Sequence, residues 1–296
     1  EFNIDGWRMD VVRHIEPDFW RDFRRVAKLV RPDCYLLAEI WGNTAPWLQG
    51  DQFDAVMNYQ ITAPLLNFFG ADNLNMTWSH SDVALKQRTN AVDFRQAIEA
   101  MFARYDWEIH YAQMNMLDSH DMPRALWLLN HDKDALRLTV LCQMTMPGAP
   151  CVYYGDEIGL AAGGDPYCRE AFPWNEPMWW DQSLREFYQA AITLRRSHKA
   201  LRTGDFAFLL AQVQGNALLV AVRSFIEEAV FVLGHGEVAE AHQHAYGIAG
   251  LGQFYLDDFR PQVAQDGQRP GAGVKCTPLQ GPDAFERLVF RVVVSQ

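Results

Sequence analysis

The sequence predicts an α/β protein, with strand–helix units over residues 1–202 followed by a small antiparallel β-sandwich over residues 203–296. Three observations carry this. Short β-like runs alternate with helical patterns through the first two-thirds of the chain, the signature of βα units and a parallel sheet. Each of those runs ends in polar or ionisable residues, as parallel strands do where their carboxyl ends face a ligand. Beyond about Arg202 the pattern switches to alternation around a Gln-Gly-Asn turn in "FAFLLAQVQGNALLVAVRSF", which reads as a hairpin.

Taken in order, "FNIDGWRMDV" is the first strand. Successive side chains on a strand point to opposite faces, so Arg8 and Asp10 share one side while Trp7 and Met9 occupy the other. "PDFWRDFRRVAKLV" sets Phe19, Phe23, Val26 and Val30 at helical spacing, with Pro17 at the first helical position. Arg31-Pro32 stops that helix, because the residue before a proline is driven out of the helical region. "CYLLAEIW" and "FDAVMNY" follow as the second and third strands. A long helix is expected over residues 82–105, leading into a strand within "AQMNMLDSHD". A helix over residues 133–146 stops at Pro147-Gly148 before the strand "PCVYYGDE". The Gly-rich loop "GLAAGGDPYCREAFPW" then precedes a helix over residues 182–199. Five such units suit a TIM-like barrel or a doubly wound sheet. Their strand ends carry Asp10, Glu39, Asn58, His120 with Asp121, and Asp156 with Glu157. In the last domain "RLVFRVVVS" places Leu288, Phe290, Val292 and Val294 on one face, as a sandwich strand would. Residues 234–281 are rich in Gly and Gln and receive no strand assignment.

Composition narrows the function. A net charge of −11 disfavours nucleic acid or an anionic membrane as the main partner, since phosphate binding needs a basic surface. It leaves neutral substrates open. No apolar run reaches the roughly 18–20 residues of a membrane span. The five cysteines (Cys34, Cys142, Cys151, Cys168, Cys276) show no CxxC spacing, which favours reduced core thiols in a cytoplasm-like compartment. The chain opens mid-pattern without an initiator methionine, so a natural N-terminus further upstream is expected. Neither a dinucleotide-binding "GxGxxG" nor a P-loop is found.

Three strand ends supply an inward carboxylate: Asp10, Glu39 and Asp121. Arg8 on the same face should keep Asp10 ionised, because a neighbouring cation lowers a carboxylate pKa by roughly 1–3 units. Glu39 sits among Leu37, Ala38, Ile40 and Trp41, a setting that favours a protonated carboxyl. One anionic and one protonated carboxyl are what glycoside hydrolysis needs, as nucleophile and acid. Asp121, beside His120, could stabilise the oxocarbenium-like state or hold sugar hydroxyls. Taken singly, Arg8/Asp10 is equally a structural ion pair, Glu39 a rim residue, and His120-Asp121 a turn or a metal-ligand pair. A metal-dependent hydrolase using Asp10, Glu39, His120 and Asp121 as ligands is a rival reading. Their common placement at the strand ends of one sheet favours a site.

"GWRMD", "AEIWG" and "LDSHD" resemble three motifs of the α-amylase superfamily, glycoside hydrolase family 13. "PWLQGDQFDAVMNY", "CVYYGDEIGL", "GGDPYCREAFPW" and "LRRSHKALRTGDF" are similar to the cyclomaltodextrinase, neopullulanase and maltogenic amylase subgroup, with maltodextrin glucosidases nearby. The resemblance runs from Phe2 to about Phe206 in matching order and spacing. It implies the C-terminal part of a (β/α)8 barrel, about strands 4–8, and a retaining hydrolase of α-1,4 or α-1,6 links in maltodextrins or cyclodextrins. By position in the motifs, Asp10 matches the nucleophile, Glu39 the acid/base and Asp121 the transition-state stabiliser. Arg8 matches the residue that orients the nucleophile, and His120 one that binds hydroxyls of the cleaved sugar. Trp41 matches an acceptor-side aromatic, and Asp165 with Arg169 a donor-side pair. Met122 departs from the small hydroxyl residue usual after the His-Asp pair. Calcium sites of relatives lie largely in the preceding part of the barrel, so no metal ligand and no cofactor is assigned here. A homodimer is implied for the full-length form, and an isolated fragment is expected to be inactive. Two other family outcomes are an exo-acting maltodextrin α-glucosidase and a non-catalytic amylase-like protein, which would typically lose the carboxylates kept here.

Weaker signals have ordinary readings. Phe172 and Trp174, and less so Trp179 and Trp180, could stack on sugars but equally fit packing. His14 reads as a solvated histidine at a helix start, His235, His242 and His244 as loop residues, and Met114 and Met116 as core filler.

Overall fold

The computed structural model describes residues 4–211, 217–223, 228–234 and 291–295. Five strands pair in parallel in chain order: β1 (Gly6–Met9), β2 (Tyr35–Ala38), β3 (Ala55–Asn58), β4 (Met114–Asn115) and β5 (Ala149–Pro150). Arg8 lies opposite Leu37, Leu37 opposite Ala55, and Asn58 opposite Asn115. Parallel neighbours require crossovers. The first is α1 (Pro17–Val30), with Pro17 at its start and Arg31 after its end, as the sequence predicts.

Alternate strand residues serve two cores. Leu36, Ala38 and Val56 pack with Trp20 and Phe53 beneath α1. Leu37, Ala55 and Met57 point the other way, into the larger cluster formed with α2 (Tyr59–Gly70), α3 (Ala91–Phe102) and α6 (Lys133–Thr145). This alternation decides where the polar residues go. Trp7 turns towards Phe23 of α1, with ring centroids 6.2 Å apart, so Arg8 and Asp10 share the opposite face.

Several helices differ from the sequence reading. The helix expected over residues 82–105 begins only at Ala91, where the Asn90 side chain accepts hydrogen bonds from the Val92 and Asp93 N–H groups. Such a cap fixes the first turn, and Arg88 just before it has a left-handed φ of 58°. Helix α2 has no counterpart in the sequence reading. Ten of its twelve residues are buried and Pro64 lies inside it, so it shows neither a polar stripe nor an uninterrupted helical pattern. Short helices α4 (Trp107–Ala112) and α5 (Ala125–Leu128) flank β4, and α7 (Gln182–Ser197) and α8 (Ala200–Thr203) lead out of the first unit.

Strands β6 (Asp205–Ala211), β7 (Ala217–Arg223), β8 (Glu228–Gly234) and β9 (Arg291–Ser295) form a four-stranded antiparallel sheet in that order. The expected hairpin is β6–β7, with Asp205 opposite Arg223. Phe206 and Phe208 of β6 meet Phe102 and Phe94 of α3 at centroid distances of 5.4 and 6.0 Å. Leu288, Phe290 and residues 235–290 as a whole lie outside the described residues, and so does any second layer of the sandwich that falls there.

A buried ionic cluster fastens the loop after β4 to the turn after β5. Arg124 has no solvent exposure, and its Nη1 donates to the Tyr154 carbonyl at 2.6 Å and to Asp156 Oδ1 at 3.1 Å. Its guanidinium lies 4.6 Å from the Tyr153 ring centroid and 4.9 Å from that of Tyr154. Asp118 accepts the Ala125 N–H at 2.6 Å and is hydrogen-bonded to Asp156. One guanidinium cannot neutralise two carboxylates in a dry site. Burial pushes Asp118 up to about 6, and burial together with the Asp118 charge raises Asp156 further.

The raised pKa values set the sign of a pH effect. Above the unfolded value of 3.8 the folded pair holds more protons than the unfolded chain, so its contribution to stability falls as pH rises through about 6. Asp156→Asn keeps an acceptor for Arg124 and supplies a permanent donor to Asp118. We expect it to flatten the pH dependence of the unfolding free energy, read from urea titrations between pH 4 and 8. A slope equal to or steeper than that of the unsubstituted protein would contradict a shared proton.

Candidate active site

The carboxyl ends of β1, β2 and β4 gather the three predicted carboxylates. Arg8 Nη1 contacts Asp10 Oδ1 at 2.5 Å, while its Nη2 lies 3.4 Å from Glu39 Oε2. Its Nε donates to Met57 Sδ at 3.5 Å, which fixes the guanidinium over β3. The Arg8 guanidinium beside Asp10 holds that carboxyl below its usual range, with a hydrogen bond to Glu39 and the nearby His120 acting in the same direction. Glu39 is only 8% exposed and takes the Val11 N–H at 3.2 Å and the Trp41 indole N–H at 3.4 Å.

Val11 is a site residue that the sequence pattern does not single out. It adopts a left-handed φ of 45°, which turns its N–H toward Glu39 as the chain leaves β1. A β-branched residue there is strained by roughly 1–2 kcal/mol, and such strain collects at functional sites. No residue-type signal marks it, since valine ordinarily avoids this region.

Asp121 is held from three sides. Arg169 Nη2 contacts its Oδ1 at 2.9 Å, His120 Nε2 lies 3.1 Å from its Oδ2, and its N–H donates to Ser119 Oγ at 3.1 Å. Arg169 also pairs with Asp165 at 2.8 Å and donates to the His120 carbonyl at 2.9 Å. Tyr59 joins the two halves. Its hydroxyl lies 3.2 Å from Ser119 Oγ, and its ring stacks on Trp41 at 3.7 Å and 16°. Burial raises its phenol pKa, and the charges of Glu39, Asp121 and Arg8 all act on it. Sequence reasoning misses Tyr59 too, although "FDAVMNY" puts it one step beyond a strand end.

The structure thus brings Arg8, Asp10, Glu39, Trp41, His120, Asp121, Asp165 and Arg169 to one rim. One carboxylate is kept charged by a guanidinium, a second is buried under two N–H donors, and a third is clamped by an arginine and a histidine. That set suits a reaction in which a carbon centre gains positive charge while a leaving oxygen takes a proton. It suits a metal poorly, because Arg8 already occupies the space between Asp10 and Glu39. Among the described residues no group of three or more His, Cys, Asp or Glu is arranged to hold a metal ion.

Other sequence candidates lie elsewhere. Met122, which departs from the small hydroxyl residue usual after the His-Asp pair, is fully buried and packs in the main core. Asp156 also turns inward, to the Arg124 cluster. His14 is exposed beside the first helix, and Met116 fills core space with Met114 packed against it. Phe172 packs on Trp174 and Trp180 at centroid distances of 4.3 and 5.4 Å. Cys34, Cys142, Cys151 and Cys168 are unbridged. His235, His242, His244 and Cys276 lie outside the described residues.

Residues 1–177 match the family model "Alpha amylase, catalytic domain". A cyclomaltodextrinase of Bacillus sp is 44% identical over 212 residues, covering 72% of this chain and 35% of the relative. A cyclomaltodextrinase of Geobacillus thermopakistaniensis is 38% identical over 239 residues, covering 81% of this chain and 38% of the relative. The debranching enzyme from Nostoc punctiforme has a similar solved structure, with TM-score 0.74, 30% identity, and coverage of 99% of this chain and 58% of that one. The chain therefore spans well under half the length of those two curated relatives. Spacing, site geometry and family match agree that this chain belongs to the α-amylase catalytic-domain family, glycoside hydrolase family 13.

Proposed function

We propose that this chain is part of a retaining α-glucan hydrolase that cleaves α-1,4 or α-1,6 glucosidic bonds in maltodextrins or cyclodextrins. The observation that carries the reading is the Arg8-held Asp10 standing beside Glu39 on the face that also carries Asp121. Glu39 donates a proton to the glycosidic oxygen as Asp10 attacks the anomeric carbon, giving a covalent glycosyl-enzyme. Glu39 then accepts a proton from the water that releases the sugar. Asp121 stabilises the positive charge of both transition states, and His120 donates to a hydroxyl of the sugar being cleaved. Trp41 lines the acceptor side, and Asp165 with Arg169 the donor side. Names of relatives supply the substrate class: two of them are cyclomaltodextrinases.

The five parallel strands fit strands 4–8 of an eight-stranded barrel, with residues 1–202 in the barrel and 203–296 in a C-terminal β-sandwich domain. β1 forms one edge of the sheet, and an exposed apolar strip runs beside it. Ile4, Trp7, Phe19 and Val26 are 41–54% exposed there, and Leu29 and Val30 about 80%. An open edge beside so much apolar surface calls for covering by further strands and helices. The unbridged cysteines suit a cytoplasm-like setting, and a homodimer of the full-length form is part of this reading.

Three outcomes test it, using the longest polypeptide that the gene encodes. Asp10→Asn should lower maltoheptaose hydrolysis by roughly a thousand-fold or more with an unchanged circular dichroism spectrum. Near-normal turnover would remove Asp10 as nucleophile. After exhaustive chelation, calcium alone should leave or restore the full rate constant, since any calcium would sit in the preceding part of the barrel; a requirement for a transition-metal ion instead would favour the metal-dependent rival. Residues 1–296 expressed alone should show no glycosidase activity, because five strands cannot close an eight-stranded barrel. Robust activity from that piece would contradict the barrel assignment.

A further inference from the structure

The site described above stops at Trp41, but the aromatic surface does not. Between α2 and α3 the chain makes an excursion over residues 71–90 that carries Trp78 and His80. The His80 ring lies against Trp41 with centroids 4.3 Å apart, and Trp78 lies nearly parallel to His80 at 6.2 Å and 14°. With the Tyr59–Trp41 stack, these four rings run as a continuous wall outward from Glu39.

The excursion is built to hold that wall still. Leu74 and Val83 are buried in the main core at its two shoulders. Asn67 of α2 donates to the Ala84 carbonyl and accepts the Lys86 N–H, at 2.9 and 2.8 Å. Asn75 N–H donates to the Leu128 carbonyl at 2.8 Å. Gly42, one residue after Trp41, has a φ of 78°, and a Cβ there would stand 2.5 Å from Asp82 Oδ1. The positive φ is what favours glycine there, and the Asp82 side chain of the excursion packs against it. Trp78 packs in part on the main core and beside Gly164, which leaves it half-buried, and His80 is exposed at the tip.

His80 has a defined chemistry. The Asp82 N–H donates to its Nδ1 at 3.1 Å, so the neutral ring carries its proton on Nε2 and offers a donor to solvent. A flat apolar face beside a fixed N–H donor matches one sugar: the apolar face of a glucosyl ring stacks on the aromatic while a hydroxyl accepts the hydrogen bond. We infer that Trp78 and His80 form an additional glucosyl-binding subsite, continuing the acceptor side beyond Trp41 and selecting longer α-glucan chains. This inference rests on the reading of Asp10, Glu39 and Asp121 as an α-glucan hydrolase site. Anchoring both residues in a fixed excursion lowers the ordering cost of binding, so the subsite acts on affinity for long chains rather than on bond cleavage.

The test compares two substrates in the longest polypeptide that the gene encodes. Maltoheptaose can reach the outer wall; p-nitrophenyl α-maltoside, whose aglycone fills only the first acceptor position, cannot. Trp78→Ala should lower the ratio of kcat/KM on maltoheptaose to that on the nitrophenyl maltoside about ten-fold, through KM. Trp78→Phe should restore most of that ratio, and His80→Ala should lower it about three-fold. An unchanged ratio in Trp78→Ala, whether both activities persist or both fall together, would overturn the subsite. If the unsubstituted protein hydrolyses neither substrate, the reading of the three carboxylates fails separately. Calorimetric titration with maltoheptaose then decides: about ten-fold weaker binding in Trp78→Ala supports the subsite, and equal affinity overturns it.

Discussion

The contact between Arg8 and Asp10 is the constraint on which the rest of the site depends. The Arg8 guanidinium lowers the Asp10 carboxyl's pKa and aims it, and a strand delivers that cation two residues away at no cost in loop ordering. The same guanidinium reaches Glu39 on the neighbouring strand, because parallel registry sets Arg8 opposite Leu37, whose side chain shares Glu39's face. Val11 completes the arrangement by accepting a strained backbone so that its N–H also meets Glu39. Strand alternation, registry and one strained turn thus place two carboxyls of different character side by side.

The motif repeats around the sheet. Each of three carboxyl pairs shares a single arginine: Asp10 and Glu39 with Arg8, Asp121 and Asp165 with Arg169, and Asp118 and Asp156 with Arg124. The first two pairs border the open rim, where one member, Asp10, is held charged by its guanidinium. The third is fully buried and keeps a proton instead. Its placement is informative, since Asp118 and Arg124 bracket His120-Asp121 in sequence. The buried pair anchors the loop that presents Asp121, and in the proposed reaction the rim pairs meet the substrate.

Much of this was legible in the sequence, for identifiable reasons. Helix α1 has one apolar face, a proline at its start and Arg31-Pro32 after its end, so pattern and punctuation agreed. The strand ends were readable because a polar residue that interrupts a buried apolar run is costly unless it meets a partner or a ligand. Helix α2 was not readable, since it is buried nearly all round and carries a proline. Residues 82–90 of the excursion fall inside the overlong helix that the sequence predicts, because the Asn90 cap is a single polar residue in a polar stretch. Asp156 looked like Asp10 in sequence, yet one turns inward to Arg124 and the other outward beside Arg8; only tertiary structure separates them. Met122 illustrates the same limit: its neighbours line the rim, and it is core.

The central claim is that Asp10 supplies the oxygen that bonds to the sugar in a covalent intermediate, and that Glu39 is a separate proton carrier. Peptide mass spectrometry of the longest polypeptide carrying Glu39→Gln, after reaction with α-maltosyl fluoride, addresses it directly. Fluoride needs no acid to leave, so the first step proceeds while the second stalls for want of a base. The account requires a maltosyl adduct on the peptide containing Asp10. An adduct on Asp121 or any other carboxylate, or turnover of the fluoride with no covalent species at all, would contradict it.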